Sequence, residues 1–243
     1  MLKMLKRKVQ GFPYLLLHPS QLKRLIIRET RYRQRQRSKR QWVEWQKYGC
    51  SRHISMIQAR PAVLSESSLN VARIQIFSDM VSRLGSSLRV LDVGCGEGAI
   101  GKPLRKMGNY VVSIELPTIA AIARRCGVPS VVAGDAEHLT FASNSFDLVI
   151  ASEVLEHLWN PHNFFDEAYR VLRANGYLLI ETPEGKGSLL YDDHKNYFTV
   201  ERLKQMLGTR FTLCEVERLK ATGCAQTPTI ILLLRKSSSE KTD

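Results

Sequence analysis

An α/β fold built on a doubly wound parallel sheet is predicted by three features of the sequence. Apolar segments of strand length alternate with helical apolar patterns from about residue 68 to about residue 182. The segment 89–99, Arg-Val-Leu-Asp-Val-Gly-Cys-Gly-Glu-Gly-Ala, has the pattern of a buried strand followed by a glycine turn. Acidic residues follow successive strands, at the edge where open parallel sheets bind their ligands.

The glycine turn is the most informative of these features. Asp92 lies at the end of the first strand, and three residues without a Cβ follow it: Gly94, Gly96 and Gly98. Such residues allow a sharp turn and a close approach of the backbone to a ligand. The helical pattern that follows, with Ile100 and Leu104, brings free N–H groups and a positive dipole end to the turn. We therefore predict a nucleotide-type pocket.

Acids after the next two strands indicate how a nucleoside would be held. The second predicted strand, Tyr110–Glu115, ends in a carboxylate suited to two ribose hydroxyls. Asp135 follows the third strand, where it can accept a hydrogen bond from an adenine amino group. Gly94, Gly96 and Ala99 also satisfy the looser dinucleotide pattern G-x-G-x-x-G/A, so a nicotinamide-dependent dehydrogenase is an alternative at this point.

From about residue 68 to about residue 235 the chain resembles the class I S-adenosylmethionine-dependent methyltransferases. The resemblance rests on Leu-Asp-Val-Gly-Cys-Gly-Glu-Gly, on Glu115, on Gly134-Asp135-Ala136, and on the motifs at 146–149 and 172–176. It implies a Rossmann-like sheet of seven strands, with the last strand antiparallel between two others, and S-adenosyl-L-methionine as cofactor. The residues that it implies as cofactor contacts are Asp92, Gly94, Cys95, Gly96, Gly98, Glu115, Leu116, Asp135, Ala136 and Ser152.

A second group of candidate residues follows the fourth predicted strand. We expect a helix there, which would put Glu153 and His157 on one face because they are four residues apart. The pattern Glu-x-Leu-Glu-His resembles the ubiquinone-pathway O-methyltransferases and their relatives that act on small molecules. That resemblance implies Glu153 and His157 as catalytic residues, with His157 as general base, and Glu153, Glu156 and His157 as ligands of a divalent metal. The alternative is that His157 packs against the next turn and Glu156 lies at the surface.

The segment 192–199, Asp-Asp-His-Lys-Asn-Tyr-Phe-Thr, is a third candidate. It follows the fifth strand and precedes a helix, so it can lie over the crevice. His194 and the pair Phe198-Thr199 resemble a recurrent feature of the small-molecule group, which implies a catalytic His194 and contacts to the substrate. The alternative is a solvated loop in which Thr199 caps the following helix.

The first 60 residues differ in charge from the rest of the chain. They hold 16 Lys and Arg against two acids, a net charge of +14, whereas residues 61–243 have a net charge of −1. We predict a basic helical N-terminal extension at 1–62, a methyltransferase domain at 63–235 and a disordered tail at 236–243. Three interpretations of the extension stay open: a solvated helix, attachment of residues 1–60 to an anionic membrane, or binding of nucleic-acid phosphates. A mitochondrial presequence is a further alternative, since the first 28 residues contain no acid.

The composition and the absence of certain motifs restrict the compartment and the class of methyl acceptor that we expect. Five scattered cysteines without a C-x-x-C pair favour free thiols in a reducing compartment, so we expect a cytoplasmic protein, peripheral at the inner membrane face if the extension binds lipid. No Asn-Pro-Pro-Tyr or Asp-Pro-Pro-Tyr follows the fourth strand, which counts against methylation of adenine or protein glutamine. We predict methyl transfer to a hydroxyl of a small-molecule acceptor: a phenol, a quinone precursor, or a sugar of a lipid-linked glycan or natural product. An RNA methyltransferase that uses the basic extension is the alternative.

Overall fold

Residues 68–191, 193–220 and 227–237 are described by the computed structural model, and their strands form one seven-stranded sheet. The strands are β1 (Arg89–Val93), β2 (Tyr110–Glu115), β3 (Val131–Ala133), β4 (Phe146–Ser152), β5 (Leu172–Pro183), β6 (Phe211–Leu219) and β7 (Thr229–Lys236). Their spatial order is β3-β2-β1-β4-β5-β7-β6. The strand order reverses between β1 and β4, which is where doubly wound sheets open a ligand crevice.

The last strand is reversed, as predicted. β7 runs antiparallel to both of its neighbours, β5 and β6, whereas the pairs among β1 to β5 are parallel. β7 also continues to Lys236, one residue beyond the predicted end of the domain. The Lys236 ammonium donates to the backbone carbonyls of Tyr169 at 2.7 Å and Leu172 at 2.6 Å. These contacts belong to the folded domain, so the predicted boundary at residue 235 is one residue too early.

Five α-helices flank the described sheet. They are α1 (Ser68–Ser82), α2 (Gly101–Lys106), α3 (Pro117–Arg125), α4 (Pro161–Val171) and α5 (Val200–Leu207), with short 3-10 helices at Leu155–His157 and Lys186–Leu190. The Asn160 side chain accepts a hydrogen bond from the His162 N–H at the start of α4. Thr199 accepts from the Arg202 N–H at the start of α5, which confirms the predicted helix cap.

Both faces of the sheet are buried. On one face, Phe164, Phe165 and Leu203 from α4 and α5 pack against alternate residues of the strands. On the other face, Phe77 of α1 and Leu104 of α2 pack against the intervening residues. Strands covered on both sides explain why the sequence shows nearly continuous apolar runs instead of alternation.

Residues 1–67, Asp192, 221–226 and 238–243 lie outside the described residues. The predictions for the basic extension and for the tail beyond Ser237 fall there, so they stay predictions. Among the helices that the structure describes, none has the length and apolar character needed to cross a bilayer.

Candidate active site

The sharp glycine turn predicted after β1 is present, and its three glycines have left-handed backbone conformations. Gly94, Gly96 and Gly98 have φ angles of +70°, +52° and +84°, a region that residues with a Cβ rarely occupy. A Cβ at Gly94 would also collide with the Val154 side chain, because the segment after β4 lies directly against the turn. The turn is therefore closed on one side by the segment that follows β4.

Glu115 at the end of β2 is tied to the glycine turn by its carboxylate. One oxygen accepts the Gly96 N–H at 3.0 Å and the other accepts the Leu116 N–H at 2.8 Å. Each carboxylate oxygen has a second lone pair, so both oxygens can also accept from ligand hydroxyls. These bonds fix the orientation of the acid that was predicted to hold a ribose.

Asp92 is a buried carboxylate beside the same turn. Its side chain is packed against α2, where a Cβ at Gly101 would lie 2.6 Å from Asp92 Oδ2. That oxygen has no hydrogen-bond partner among the described residues. Burial, and then the negative charge of Glu115, raise the pKa of Asp92 to about 7. Two acids beside the turn, one of them buried, favour a ligand that carries a positive charge, such as the ammonium or the sulfonium of S-adenosylmethionine.

Cys95 within the turn is a buried small residue. Burial, and then the charges of Asp92 and Glu115, raise the pKa of its thiol, which disfavours the nucleophilic thiolate. Cys95 packs with Ala120 and Val128. The contact to cofactor predicted for Cys95 therefore rests on its place in the turn and not on thiol chemistry.

The turn after β3 contains a buried acid, Glu137, that the sequence analysis did not single out. Asp135 Oδ1 accepts the Glu137 N–H at 2.9 Å, which orders the turn that also contains Ala136. The buried Glu137 carboxylate accepts the N–H groups of Trp159 at 2.6 Å and Asn160 at 3.1 Å. Glu137 thus links the predicted adenine side of the crevice to the segment that follows β4. No strand or motif pattern in the sequence marks it.

The helix expected after β4 is absent, so that prediction was wrong. β4 stays on the sheet through Ser152, and the next N–H, of Glu153, still donates to the Glu181 carbonyl of β5 at 3.1 Å. Glu153 then has a φ of +56°, and a single 3-10 turn, Leu155–His157, follows. Because the left-handed residue breaks any helix, the spacing of four between Glu153 and His157 does not define a common helical face.

Glu156 is fully buried, which contradicts the alternative interpretation in which it lies at the surface. Its side chain is 0% exposed, and one carboxylate oxygen accepts from the Thr182 hydroxyl at 3.0 Å. Its backbone carbonyl accepts the N–H groups of Lys195 at 2.7 Å and Asn196 at 3.1 Å. Burial, and then the charge of Glu153, raise the pKa of Glu156 well above its ordinary value. Its other oxygen, Oε1, has no hydrogen-bond partner among the described residues.

Two imidazole rings face this buried acid. His157 Nδ1 lies 3.2 Å from the Asp193 carbonyl oxygen, and His157 Nε2 lies 4.0 Å from Glu156 Oε1. Since a carbonyl can only accept, His157 donates from Nδ1, and its Nε2 then carries the lone pair. The ring of His194 packs edge-on against that of His157, with 4.8 Å between centroids. The structure thus brings together His157 and His194, two of the predicted catalytic residues, from segments far apart in sequence.

The candidate metal ligands differ in one member from the predicted set. Side-chain ligand atoms of Glu156, His157 and His194 all lie within 4.8 Å of one another. His194 takes the place predicted for Glu153, which instead lies 3.5 Å from the Arg73 guanidinium. One carboxylate and two imidazoles suit a transition metal such as zinc, and the unused Glu156 oxygen fits such an ion.

Two further residues of this region were not found from the sequence. Glu181 of β5 is 0% exposed, pairs with Arg73 of α1 at 2.6 Å, and accepts a short hydrogen bond from the Ser152 hydroxyl. Ser152, predicted as a cofactor contact, is therefore engaged with Glu181. Burial raises the pKa of Glu181, and Arg73 opposes that rise. Burial lowers the pKa of Arg73, but Glu181 and then Glu153 outweigh it and raise that pKa.

Phe198 is not a substrate contact. Its side chain is 0% exposed and belongs to the core beneath α5, and Thr199 caps that helix. In the segment 193–199, Phe198 and Thr199 therefore have structural roles, whereas His194 lies at the crevice. Asp192 lies outside the described residues.

The crevice lies at a strand-order reversal and is bordered by a glycine turn and by acids at the ends of β1 and β2. These features define a nucleoside-binding α/β enzyme of the Rossmann-like class. Residues 91–180 match the family model described as "Methyltransferase domain". This match and the comparisons below support a class I S-adenosylmethionine-dependent methyltransferase and favour it over the nicotinamide-dependent alternative.

Curated relatives and solved structures agree with this family. The chain is 33% identical over 122 residues to a ubiquinone biosynthesis O-methyltransferase of Xylella fastidiosa, covering 47% of this chain and 49% of the relative. It is 34% identical over 101 residues to the corresponding protein of Rhizobium etli, covering 39% and 41%. The chain thus spans half or less of the length of these relatives. The fold is similar to N-methyltransferase NodS of Bradyrhizobium japonicum in complex with S-adenosyl-L-homocysteine, with TM-score 0.63, 19% identity, and 73% and 92% coverage.

Proposed function

We propose that the protein transfers the methyl group of S-adenosyl-L-methionine to a hydroxyl of a small-molecule acceptor. The observation that carries the cofactor assignment is the glycine turn with two acids beside it, the buried Asp92 and Glu115, whose carboxylate accepts the Gly96 N–H. The names of the two curated relatives support a hydroxyl acceptor such as a phenol or quinone precursor. The imidazole of His157 supports it as well, because a hydroxyl must lose its proton in the reaction.

Each acid near the glycine turn has its own proposed contact with the cofactor. S-adenosylmethionine supplies an electrophilic methyl group on a positively charged sulfur. Asp92 opposes the positive charge of the cofactor, Glu115 accepts from the ribose hydroxyls, and Asp135 with Ala136 borders the adenine. The glycine turn leaves room for close approach, so the protein contributes mainly orientation.

His157 is the proposed proton acceptor on the acceptor side. Its Nδ1–H donates to the Asp193 carbonyl, which leaves the Nε2 lone pair directed toward the cluster with Glu156 and His194. The Asp193 carbonyl oxygen, which accepts the Nδ1–H, would stabilise the imidazolium after it takes the acceptor proton. If the site takes a divalent metal, Glu156, His157 and His194 would hold it, and the ion would favour the deprotonated acceptor.

Cofactor binding is the first test of this proposal. Isothermal titration with S-adenosylmethionine and S-adenosylhomocysteine should give saturable binding, with thermal stabilisation of the full-length protein. Incubation with S-adenosylmethionine and a panel of phenols, extracted lipids and glycans should then add the mass of one methyl group to one class. Binding without any methylated hydroxyl would refute the acceptor assignment, and no binding would refute the whole proposal.

For residues 1–60 we propose peripheral attachment to an anionic membrane, which rests on their net charge of +14. The full-length protein should float with liposomes that contain phosphatidylglycerol, and added salt should release it. A variant with Arg31, Arg33, Arg35 and Arg37 replaced by Gln is the matched test of charge. Salt-insensitive flotation, or binding to RNA but not to lipid, would contradict the proposal.

A further inference from the structure

A cavity of about 370 Å³ lies between the start of α4 and one face of α5. This volume falls within the range of small-molecule sites in proteins. The wall on the α4 side is formed by Trp159 together with Pro161 and His162 of the first helical turn. None of the described residues that line the cavity is proposed above as a contact of the cofactor or of the methyl acceptor. The cavity is therefore a candidate for a second binding site.

Another wall is one face of α5, and it carries a guanidinium group. Arg202, Gln205 and Met206 are spaced i, i+3 and i+4, so they share that face of the helix. The Arg202 guanidinium carbon lies 4.3 Å from the centre of the Tyr197 ring. No ion pair or side-chain hydrogen bond joins this guanidinium to another described residue. Its N–H groups are therefore available to a ligand.

The charge of the cavity favours a carboxylate among anionic groups. Arg202 is the single Lys or Arg among the described residues that line it, and none of those residues is acidic. The first turn of α4 adds the partial positive charge of a helix N-terminus. One guanidinium matches a carboxylate through two parallel N–H···O bonds, whereas a phosphate dianion requires more positive charge than these walls supply.

Three apolar side chains of the cavity suit a planar apolar body next to that carboxylate. Trp159 supplies an indole ring, Pro161 a pyrrolidine ring and Met206 a thioether. Aromatic rings stack favourably on indole, and a thioether sulfur makes favourable contacts with the edge of a ring. The lining therefore fits an aromatic ring that bears a carboxylate.

Asn196 fixes the spacing of the walls before any ligand binds. This residue lines the cavity and is only 4% exposed. Its amide Nδ2 donates to the backbone carbonyls of Leu155 at 3.3 Å and Leu158 at 2.6 Å. These bonds join the segment before α5 to the segment before α4, and a preformed site loses less entropy when a ligand binds.

We propose that this cavity binds an aromatic carboxylate, with the ring against Trp159 and the carboxylate on Arg202. The site requires neither S-adenosylmethionine nor His157, so it goes beyond the proposed function.

The test compares benzoate with benzamide, which have similar shape but differ in charge near neutral pH. Titration of the native full-length protein, followed by ligand-observed NMR, should give a dissociation constant at least about fivefold lower for benzoate. Arg202→Met keeps the apolar stem and removes the cation, so the two constants should come to within about twofold of each other. Lys204→Met removes an exposed charge from the same helix, outside the cavity, and should leave the preference for benzoate unchanged. Trp159→Leu should weaken both ligands by about threefold to tenfold and keep their ratio.

Several results would overturn the proposed site. These are native protein that binds neither compound or does not prefer benzoate, a preference that persists in Arg202→Met, and a preference that Lys204→Met abolishes. If Arg202→Met does not fold, Arg202→Lys retains the charge but loses the planar fork. The preference for benzoate should then fall by about threefold, and an unchanged preference would contradict the site. Titration with S-adenosylmethionine is a separate measurement, and its failure would refute the proposed function without affecting this site.

Discussion

The two halves of the crevice are built in different ways. The cofactor half, at the carboxyl ends of β1 to β3, uses backbone conformation: three glycines with positive φ, and backbone N–H groups that orient Glu115. The acceptor half, at the ends of β4 and β5 with segment 193–199, uses buried charged side chains that meet from distant segments. Glu156 contacts Thr182, and Arg73 contacts Glu181. The cofactor half thus presents ordered backbone N–H groups and a turn without Cβ atoms, whereas the acceptor half presents buried ionisable side chains.

The largest effect is expected in the acceptor half. His157→Ala should lower turnover by roughly 10²- to 10⁴-fold, because the proposed proton acceptor is lost. Affinity for S-adenosylhomocysteine should stay within about threefold, since no group of the cofactor half changes. Initial rates and isothermal titration measure the two quantities. A large loss of affinity would show that His157 belongs to the cofactor half.

Two further experiments, the variant His194→Ala and treatment with a chelator, test whether His157 acts as a metal ligand or as a base alone. Loss of activity on chelation, with recovery on adding zinc or manganese, would assign Glu156, His157 and His194 as metal ligands. Full activity with chelator would leave His157 acting as a base alone, and His194→Ala should then reduce turnover far less than His157→Ala.

The next effect concerns Asp92 and depends on pH. Its pKa of about 7 in the folded protein lies above its ordinary value of 3.8, so the folded state binds more protons between these values. Stability of the unliganded protein should therefore fall as pH rises through that window, with the full penalty present above about pH 7. Asp92→Asn should stabilise the unliganded protein by up to roughly 4 kcal/mol at about pH 8, and by much less near pH 5.

Denaturant unfolding at the two pH values checks this prediction. The same variant should bind S-adenosylmethionine more weakly, because the cation loses its buried counter-charge. A variant that is no more stable at the higher pH would show that Asp92 is not charged in the unliganded protein.

A smaller effect is expected at Glu115. Glu115→Ala removes the proposed acceptor of two ribose hydroxyls and should weaken S-adenosylhomocysteine binding by roughly tenfold to a hundredfold. Glu115→Gln retains the shape and should lose less. Titration of both variants checks the order. Equal, small losses would indicate that Glu115 only orders the glycine turn.

The smallest effect, on the free energy of unfolding, is expected at Glu137, which links the turn after β3 to the segment after β4. Glu137→Gln leaves one oxygen in place of two for the N–H groups of Trp159 and Asn160, so it should cost about 1–2 kcal/mol of unfolding free energy. Denaturant unfolding measures it, with the exposed Arg83→Met as a control that should change stability by less than about 1 kcal/mol. Equal effects in the two variants would contradict the role of Glu137 as a link.

The same contrast between the two halves explains which parts of the structure could be predicted from the sequence. The strand patterns, the glycine turn and Glu115 are local features, and the fold and the cofactor half were predicted from them. The acceptor half depends on contacts that no local pattern encodes, such as Arg73 with Glu181 across 108 residues. Glu153 illustrates the limit most clearly. Helical spacing favoured a shared face with His157, but strand pairing persisted and the chain turned with a positive φ at Glu153.

The ammonium of Lys236 has a practical consequence for where the polypeptide can be trimmed. It satisfies two carbonyls at the junction of α4 and β5 and lies 4.3 Å from the centre of the Tyr169 ring. Truncation before this lysine would leave those oxygens dependent on water and expose an aromatic surface. Affinity tags or fused partners should therefore be joined after Ser237, so that Lys236 keeps its hydrogen bonds to these two carbonyls.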